Sequence, residues 1–303
     1  NILSMFSFGP LTVSSAITDG IVPHVNARKD EFVQLYQRIP FGKWLYTPVE
    51  INYEASHGTD FARQYPWIPI CTVIIYLASI YLGKKYMEKR ERFDLRYKLA
   101  AWNMLLSVFS FIGAVRTVPD LLYRIATSAS LDETMCTAAA SSWGTGATGL
   151  WVQLFIFSKI PELVDTVFIV ARKRPLLFLH WYHHVTVLLY CWHSYATEAS
   201  QALYFVAMNY TVHAIMYGYY CLMALKLKPA WFPPVIITIA QISQMFVGVA
   251  VQIASMMKYF SGDSSCGVNG ANVFWGSIMY GSYLALFVKF AVDRYMKKPE
   301  KKL

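Results

Sequence analysis

The sequence has few charged residues. Only 15% of its 303 residues are Asp, Glu, Lys or Arg, whereas about 25% is usual in a soluble globular domain. Hydrophobic residues make up 56% of the chain and aromatic residues 16%. This composition excludes an ordinary soluble domain and predicts an integral membrane protein, in which Trp and Tyr gather at the two interfaces.

Cysteines and acidic residues are also scarce. The five cysteines form no CxxC pair, so there is no zinc-site signature. Basic residues outnumber acidic ones by 27 to 18, which gives a net charge of +9. The basic residues stand in short runs between apolar stretches, as in cytosolic loops, and this placement does not indicate a nucleic-acid partner. The basic residues on this face could in addition attract an anionic ligand. The runs are KKYMEKRERFDLRYK (84–98), RKR (172–174), KLK (226–228) and RYMKKPEKK (294–302).

Seven stretches are long and apolar enough to predict membrane-crossing helices. Their alternation places all four basic runs on one side, which we assign to the cytosol together with the C-terminus. We therefore expect an all-α, multi-pass protein with a luminal, partly ordered tail over 1–65, a seven-helix catalytic domain over 66–295 and a basic cytosolic tail over 296–303. The stretches are 66–83, 99–117, 148–171, 176–195, 201–225, 231–257 and 271–292.

Two of the cysteines fall in loops on the opposite, non-cytosolic side. Cys136 lies between the second and third stretches, and Cys266 lies between the sixth and seventh. Disulfides persist in the lumen of the endoplasmic reticulum and outside cells. We therefore expect a Cys136–Cys266 disulfide, and the alternative is two free thiols.

Ionisable side chains inside membrane-crossing stretches are functional candidates, because they are costly there. They occur in three consecutive stretches and at similar depths, at a rise of about 1.5 Å per residue, which predicts a shared cavity. The alternatives are a structural ion cluster in the third stretch and hydrogen bonding between helices in the fourth. The residues are Lys159, Glu162 and Asp165, then His180, His183 and His184, then Asn209 and His213. His193, in the fourth stretch, lies near its non-cytosolic end, and we expect a structural role for it.

Three kinds of chemistry compete for the histidine cluster. Membrane desaturases and hydroxylases that hold non-haem iron resemble it in the HxxHH pattern, but they carry several such boxes and this chain has one. A seven-helix receptor or transporter would fit the number of stretches. Acyl transfer without a metal would use neutral imidazole as a nucleophile or general base.

Four motifs occur in order in the third to sixth stretches. KIPELVDTVF fits KxxExxDT, HWYHH fits HxxHH, NYTVHAIMYGYY fits NxxxHxxMYxYY, and TIAQISQ fits TxxQxxQ. Together they resemble the ELO family of very-long-chain fatty-acid elongases, which are the 3-ketoacyl-CoA synthases of the endoplasmic reticulum. The resemblance covers about residues 66–295. It implies seven transmembrane helices around an acyl-chain tunnel.

The resemblance implies a decarboxylative condensation with no metal or redox cofactor. A long-chain acyl-CoA and malonyl-CoA would give a 3-ketoacyl-CoA, CO2 and CoA. We hypothesise that His183 forms an acyl-imidazole, and the alternative is that histidine acts only as a base. The catalytic candidates are His183, His184, His180, His213, Asp165 and Glu162, with the two carboxylates setting tautomers. The candidates for substrate binding are Lys159, Asn209, Tyr217, Tyr220, Gln241, Gln244, Arg172, Lys173 and Lys289.

The substrate range and location are also expectations from the resemblance. Elongases of polyunsaturated chains resemble one another in a Gln five residues before the box, where this chain has Pro175. This favours the branch that acts on saturated and monounsaturated chains near palmitoyl length. The resemblance further implies the membrane of the endoplasmic reticulum, contact with the ketoreductase, dehydratase and enoyl reductase of the elongation cycle, and a homodimer as one assembly.

Overall fold

A bundle of long helices forms most of the molecule, with short elements packed on one end. The computed structural model describes residues 9–26, 28–263 and 266–296, and the predicted basic tail lies almost wholly outside them. In chain order the elements are α1 (Val13–Thr18), β1 (His24–Val25), β2 (Glu31–Phe32), α2 (Leu35–Arg38), α3 (Pro48–Ile51), α4 (Ser56–Gln64), α5 (Trp67–Glu88), α6 (Arg96–Thr127), α7 (Leu131–Cys136), α8 (Gly146–Ser158), α9 (Val164–Ala171), α10 (Phe178–Ala196), α11 (Ala202–Ala224), α12 (Val235–Phe260) and α13 (Gly270–Ala291).

The prediction of an all-α membrane protein is confirmed. Each predicted stretch coincides with a long helix or, for 148–171, with a pair of shorter ones. In the described part of the chain, four helices are long and apolar enough to cross a membrane: α5, α6, α12, and α13 extended by one turn to Met296. Large apolar side chains cover their outer faces, as a lipid environment requires.

The predicted continuous span over 148–171 is wrong. α8 ends at Ser158, a 3₁₀ turn covers Pro161–Leu163, and α9 begins at Val164. Pro161 has no N–H to donate to the preceding turn, so an α-helix cannot run through it undisturbed. The break falls among the charged residues that the sequence placed along one face of a single helix, and Lys159 and Glu162 pair across it.

The second predicted span, 99–117, is too short. α6 continues to Thr127, and its charged side chains Arg116, Asp120 and Arg124 all find partners. Arg124 Nε donates to Asp120 Oδ2 at 2.8 Å, one turn away. Arg116 Nε donates to Glu50 Oε1 at 2.7 Å. Because these charges are paired, the helix extends well beyond its apolar portion.

The closest packing in the bundle joins α6 to α11. A Cβ on Gly113 would lie 2.4 Å from the ring of Tyr210, so only glycine lets the two helices approach this closely. α12 pairs with α13, and α10 lies against α13. Towards one end of the bundle the interior is filled by large side chains, as where Phe205 stacks on Tyr280 at 4.6 Å.

The two ends of the bundle differ, and we name them by what they carry. The tail end is covered by residues 9–26 and 28–65 and by the α7 region. There α4 packs on the last turns of α10, and Cys136 is joined to Cys266 as expected from the sequence. The basic end carries Arg92 and the Arg172–Arg174 turn. Side chains of the N-terminal segment therefore belong to the folded structure.

Candidate active site

A cavity of about 530 Å³ opens from the basic end into the bundle. Side chains of α6, α9, α10, α11, α12 and α13 line it, and Asn209 and Met245 are among them. It contains twelve of the fifteen catalytic and substrate-binding residues that the sequence singled out. They are Glu162, Asp165, Arg172, His180, His183, His184, Asn209, His213, Tyr217, Tyr220, Gln241 and Gln244.

The imidazoles of α10 and α11 meet in this cavity. The His180 and His184 ring centroids are 4.5 Å apart, and those of His183 and His184 are 5.7 Å apart. His213 enters from α11 and packs edge-on against Tyr217 at 5.2 Å. The spacing of HxxHH puts its three rings on adjoining faces of one helix turn. The sequence prediction of a shared, inward-facing histidine layer therefore agrees with the geometry.

His183 is held through its backbone and not through its ring. Tyr283 of α13 donates its hydroxyl to the His183 carbonyl at 3.1 Å, and its ring lies 5.0 Å from the imidazole. Thr186 Oγ1 and Tyr283 Oη are 2.6 Å apart and tie the same turn to α13. Among the described residues, none hydrogen-bonds to the ring nitrogens of His183. The imidazole is thus positioned beside the cavity with its nitrogens available to a substrate.

His180 has a different environment, with a hydroxyl at its ring. Its Nε2 lies 2.9 Å from Thr166 Oγ1 of α9. Thr166 Oγ1 lies 2.8 Å from the hydroxyl of Tyr76 on α5. Both hydroxyl-bearing residues are buried, and neither lines the cavity. This chain of contacts links three helices to one imidazole.

The two carboxylates expected to set histidine tautomers bind other groups. Asp165 accepts from Trp102 Nε1 at 2.6 Å and from the Tyr217 hydroxyl at 2.7 Å. Glu162 accepts from Lys159 Nζ at 2.7 Å and from Ser158 Oγ at 2.8 Å. Because their hydrogen bonds to protein groups go elsewhere, these contacts fit the structural alternative better than the tautomer-setting role. Asp165 joins α6, α9 and α11 at the cavity wall.

Three of the predicted substrate-binding cations lie outside the cavity. Lys159 is only 2% exposed and is occupied by Glu162. Lys289 points outward and pairs with Asp293. Lys173 lies in a separate surface groove and donates to the Glu88 carbonyl. Arg172 and Arg174 line both the cavity mouth and this groove, so they are the cations that an anionic ligand entering the cavity would meet.

Several residues at the site were not among the candidates drawn from the sequence. Thr166 directly follows Asp165 in the KxxExxDT motif, and this position is the signal in the sequence that points to it. Tyr76, Trp102 and Tyr283 stand in apolar stretches where one more aromatic is unremarkable. Their roles become visible only when the helices are assembled.

The arrangement of potential metal ligands tests the alternative of a non-haem iron enzyme. In the part of the chain that the structure describes, no group of three or more His, Cys, Asp or Glu side chains is placed to hold a metal ion. A non-haem iron site in proteins draws on several such side chains. The iron hypothesis therefore has no ligand set among these residues.

Comparison with known proteins shows the family of this chain. The family model described as ELO: GNS1/SUR4 family matches residues 61–303. The chain belongs to the ELO family. It is 43% identical over 223 residues to very long chain fatty acid elongase 6 of Drosophila melanogaster, covering 73% of this chain and 70% of that protein.

Two further relatives extend the similarity. Putative fatty acid elongase 3 of Caenorhabditis elegans is 37% identical over 254 residues, covering 84% of this chain and 78% of the relative. Human very long chain fatty acid elongase 6 is 40% identical over 227 residues, covering 75% and 84%. The sequence-based assignment to the fatty-acid elongases, and so to the enzymes of the condensing step, is confirmed.

Proposed function

We propose that this elongase condenses malonyl-CoA with a long-chain, saturated acyl-CoA of about sixteen carbons through an acyl-histidine intermediate. The observation that carries the proposal is the cavity itself. Four imidazoles from α10 and α11 line a space whose mouth carries Arg172 and Arg174. A CoA ester has the matching parts, which are a thioester to react and phosphates to bind arginine.

The first step uses the available ring of His183. Its unprotonated nitrogen attacks the thioester carbonyl, the C–S bond breaks, and CoA leaves as a thiolate that takes up a proton. His184, 5.7 Å away ring to ring, is placed to accept and return protons. His213 approaches from α11 as the second imidazole at the reacting carbonyl.

The second step forms the new carbon–carbon bond. Malonyl-CoA loses its carboxylate as CO2, and the electron pair left on its α-carbon attacks the acyl carbon. The bond to His183 breaks and the imidazole is regenerated, so the product is a 3-ketoacyl-CoA two carbons longer. Asn209, Gln241 and Gln244 line the cavity and supply uncharged amide groups for the carbonyl oxygens. The residues assigned here need no metal or redox cofactor for these steps.

The acyl chain requires an apolar route. Met216, Met245 and Phe287 line the cavity, and each methylene buried there contributes about 0.8 kcal/mol. Elsewhere in the bundle interior, the rings of Phe205 and Tyr280 stack on each other at 4.6 Å and fill space that the acyl chain could otherwise occupy. We propose that seven membrane crossings surround this route and that its depth limits the chain length accepted.

The remaining assignments follow the family. We propose that the protein resides in the membrane of the endoplasmic reticulum with its basic end and C-terminus in the cytosol, where CoA esters are found, and with residues 1–65 in the lumen. The disulfide at the tail end supports this orientation, because such bonds persist on the luminal side. The reductases and dehydratase of the cycle and a second copy of the chain are proposed partners.

The proposal is tested with purified protein in detergent, radiolabelled malonyl-CoA and saturated acyl-CoAs of graded length. We expect incorporation of label into 3-ketoacyl-CoA, with a maximum near sixteen carbons, and none with His183→Ala. Absence of product from the wild type at every length would overturn the proposed activity.

A second measurement decides how histidine acts. The protein is incubated with acyl-CoA and without malonyl-CoA, then digested and examined by mass spectrometry. An acyl group on the peptide that contains His183 is expected, together with release of CoA equal to the amount of enzyme. Normal turnover of the complete mixture with no adduct and no CoA release would favour histidine acting only as a base.

A further inference from the structure

We propose that Tyr76 and Thr166 form a hydroxyl relay that fixes the tautomer and ring orientation of His180, which makes them positioning residues for the condensation. This inference rests on the proposed function of the histidine cavity. The relay runs from α5 through α9 to α10, from a hydroxyl with no access to the cavity to an imidazole that lines it.

The geometry is that of two successive hydrogen bonds. Tyr76 Oη and Thr166 Oγ1 are 2.8 Å apart, and Thr166 Oγ1 and His180 Nε2 are 2.9 Å apart. Both lengths lie in the normal range for such bonds. Tyr76 is 6% exposed and Thr166 is 2% exposed, so water does not compete for either hydroxyl. Only the protein can decide which way these protons point.

The direction of the relay follows from the donors available. Thr166 has one hydroxyl proton and can give it either to Tyr76 or to His180. The phenol of Tyr76 is the more acidic hydroxyl and has Thr166 as its partner, so it donates to Thr166 Oγ1. If Thr166 accepted from both neighbours, its own buried proton would have no partner among the contacts of this hydroxyl, so Thr166 donates to His180 Nε2 and this nitrogen is unprotonated. The proton of the neutral ring is therefore on Nδ1.

A fixed ring matters because His180 is the neighbour of His184. Their ring centroids are 4.5 Å apart, and the Tyr76 ring lies 6.3 Å from that of His184 on the side of α5. A His180 ring free to flip would present either nitrogen to the cavity and would spend part of its time in the wrong state. Partners that hold the other nitrogen of a histidine are a general means of setting its tautomer.

The test uses variants that each remove one hydroxyl group and keep the size and shape of the side chain. Tyr76→Phe keeps the ring beside His184, and Thr166→Val keeps a β-branched side chain. We expect kcat to fall about tenfold in Thr166→Val, the factor that corresponds to one buried hydrogen bond. The fall in Tyr76→Phe should be smaller, and both KM values should stay within about twofold of the wild type. Thr166→Ser should restore kcat.

The double variant separates a relay from two independent packing effects. In a relay, Tyr76→Phe has no further effect once Thr166→Val is present, because the path is already cut. Multiplying losses would overturn the inference. Tyr204→Phe is the matched control, because its hydroxyl also contacts a buried threonine, Thr134, but at the tail end. Its kcat should equal that of the wild type, and a loss as large as in Tyr76→Phe would count against the relay.

An NMR experiment tests the tautomer of His180 directly and does not depend on enzyme activity. Protein with ¹⁵N-labelled histidine rings shows by NMR which nitrogen of each ring bears the proton, and His180→Gln assigns the signal. We expect a single Nδ1–H tautomer at His180 in the wild type and a mixture in Thr166→Val. A mixture in the wild type, or no change in the variant, would overturn the relay. Wild-type protein that makes no ketoacyl product would instead overturn the proposed function.

Discussion

The tail end and the basic end of the bundle use polar side chains in opposite ways. At the tail end the described charges are largely engaged with one another: Arg28 and Arg63 both reach Glu198 and Asp60, and Arg116 reaches Glu50. At the basic end, Arg172 and Arg174 line the cavity mouth, and His183 and His213 line the space behind it.

Polar side chains at the tail end therefore stabilise the fold, whereas those that line the cavity serve the reaction. Polar groups at the tail end are matched, and where the pair is buried, as for Arg116 and Glu50, changing one partner leaves the other without its bond and destabilises the fold. Polar groups that line the cavity are free to meet a ligand, so changing one should affect the reaction more than the fold. A tail-end substitution that lowered kcat, or a cavity substitution that lowered stability, would identify a residue that serves both the fold and the reaction.

The largest expected effect is at the cavity. Replacing His183 by Gln removes the proposed nucleophile and keeps a side chain of similar length. We expect kcat to fall by more than about 10³-fold, as for other nucleophile deletions. The thermal midpoint in detergent should change little, because the ring nitrogens bind no described group. Activity above about a tenth of the wild type would contradict covalent catalysis.

The largest expected effect on stability is at the tail end. Arg116 Nε donates to Glu50 Oε1, and its NH2 group donates to the Leu45 carbonyl at 2.7 Å. Arg116→Met would leave the Glu50 carboxylate buried with less than its full set of partners, which costs about 3 kcal/mol. We expect a lower thermal midpoint, with kcat unchanged at low temperature. Glu50→Gln in the same chain should recover part of the loss, because it removes the orphaned charge.

The same pair predicts a response to acid. Burial raises the pKa of Glu50, but hydrogen bonds from Arg116, the Thr47 N–H and Trp151 outweigh burial and lower the pKa from 4.5 to about 2. A carboxyl group with a depressed pKa stabilises the fold above its unfolded value. This contribution should therefore be lost as the pH falls from about 4.5 towards 2. The thermal midpoint of Glu50→Gln should decline less over this interval, and parallel declines would contradict the assignment.

The disulfide gives a third measure of the tail end. Cys136 and Cys266 are 130 residues apart in sequence, and closing a long loop stabilises a fold by about 2–4 kcal/mol. Cys136→Ser should lower the thermal midpoint and make the α7 region more open to protease, with kcat unchanged. Cys191→Ser, which changes a buried free thiol, is the control for loss of a sulfur atom. Equal effects of the two variants would show that the bond itself contributes nothing.

Prediction from sequence succeeded where a local pattern fixes a physical outcome. HxxHH places three rings on one helix turn whatever the surroundings, and an apolar stretch of helical length becomes a helix. Basic runs mark loops on one side, so the two cysteines could be placed on the other. These inferences need only the chain's own periodicity and the cost of charge in a bilayer.

Prediction failed where contacts between helices decide the outcome. Asp165 is near the histidines in sequence and in space, yet Trp102 and Tyr217 occupy its oxygens. Thr166, which does meet an imidazole, was not among the candidates although it closes the KxxExxDT motif. The sequence shows which polar groups are buried, but which of them pair depends on the rotation of each helix. The break at Pro161 alters that rotation within the motif itself.

The smallest expected effect concerns the mouth of the cavity. Arg174 lines both the cavity and the groove that holds Arg92, so it is placed to meet a CoA phosphate before the thioester reaches the histidines. Arg174→Gln should raise the KM for acyl-CoA by about tenfold at low salt, the loss expected for one charge-assisted contact. The value of kcat should be unchanged, because the guanidinium does not touch the reacting atoms.

Ionic strength provides the decisive control for this last variant. Added salt screens a charge at an open mouth, so the wild-type KM should rise towards that of Arg174→Gln. Lys258→Gln removes one positive charge from the tail end, where Lys258 pairs with Asp132, and its KM should follow the wild type at every salt concentration. A rise in KM that is equal in both variants would mean that net charge, and not the position of Arg174, attracts the substrate. The contrast between the two ends would then not extend to binding of CoA by the basic end.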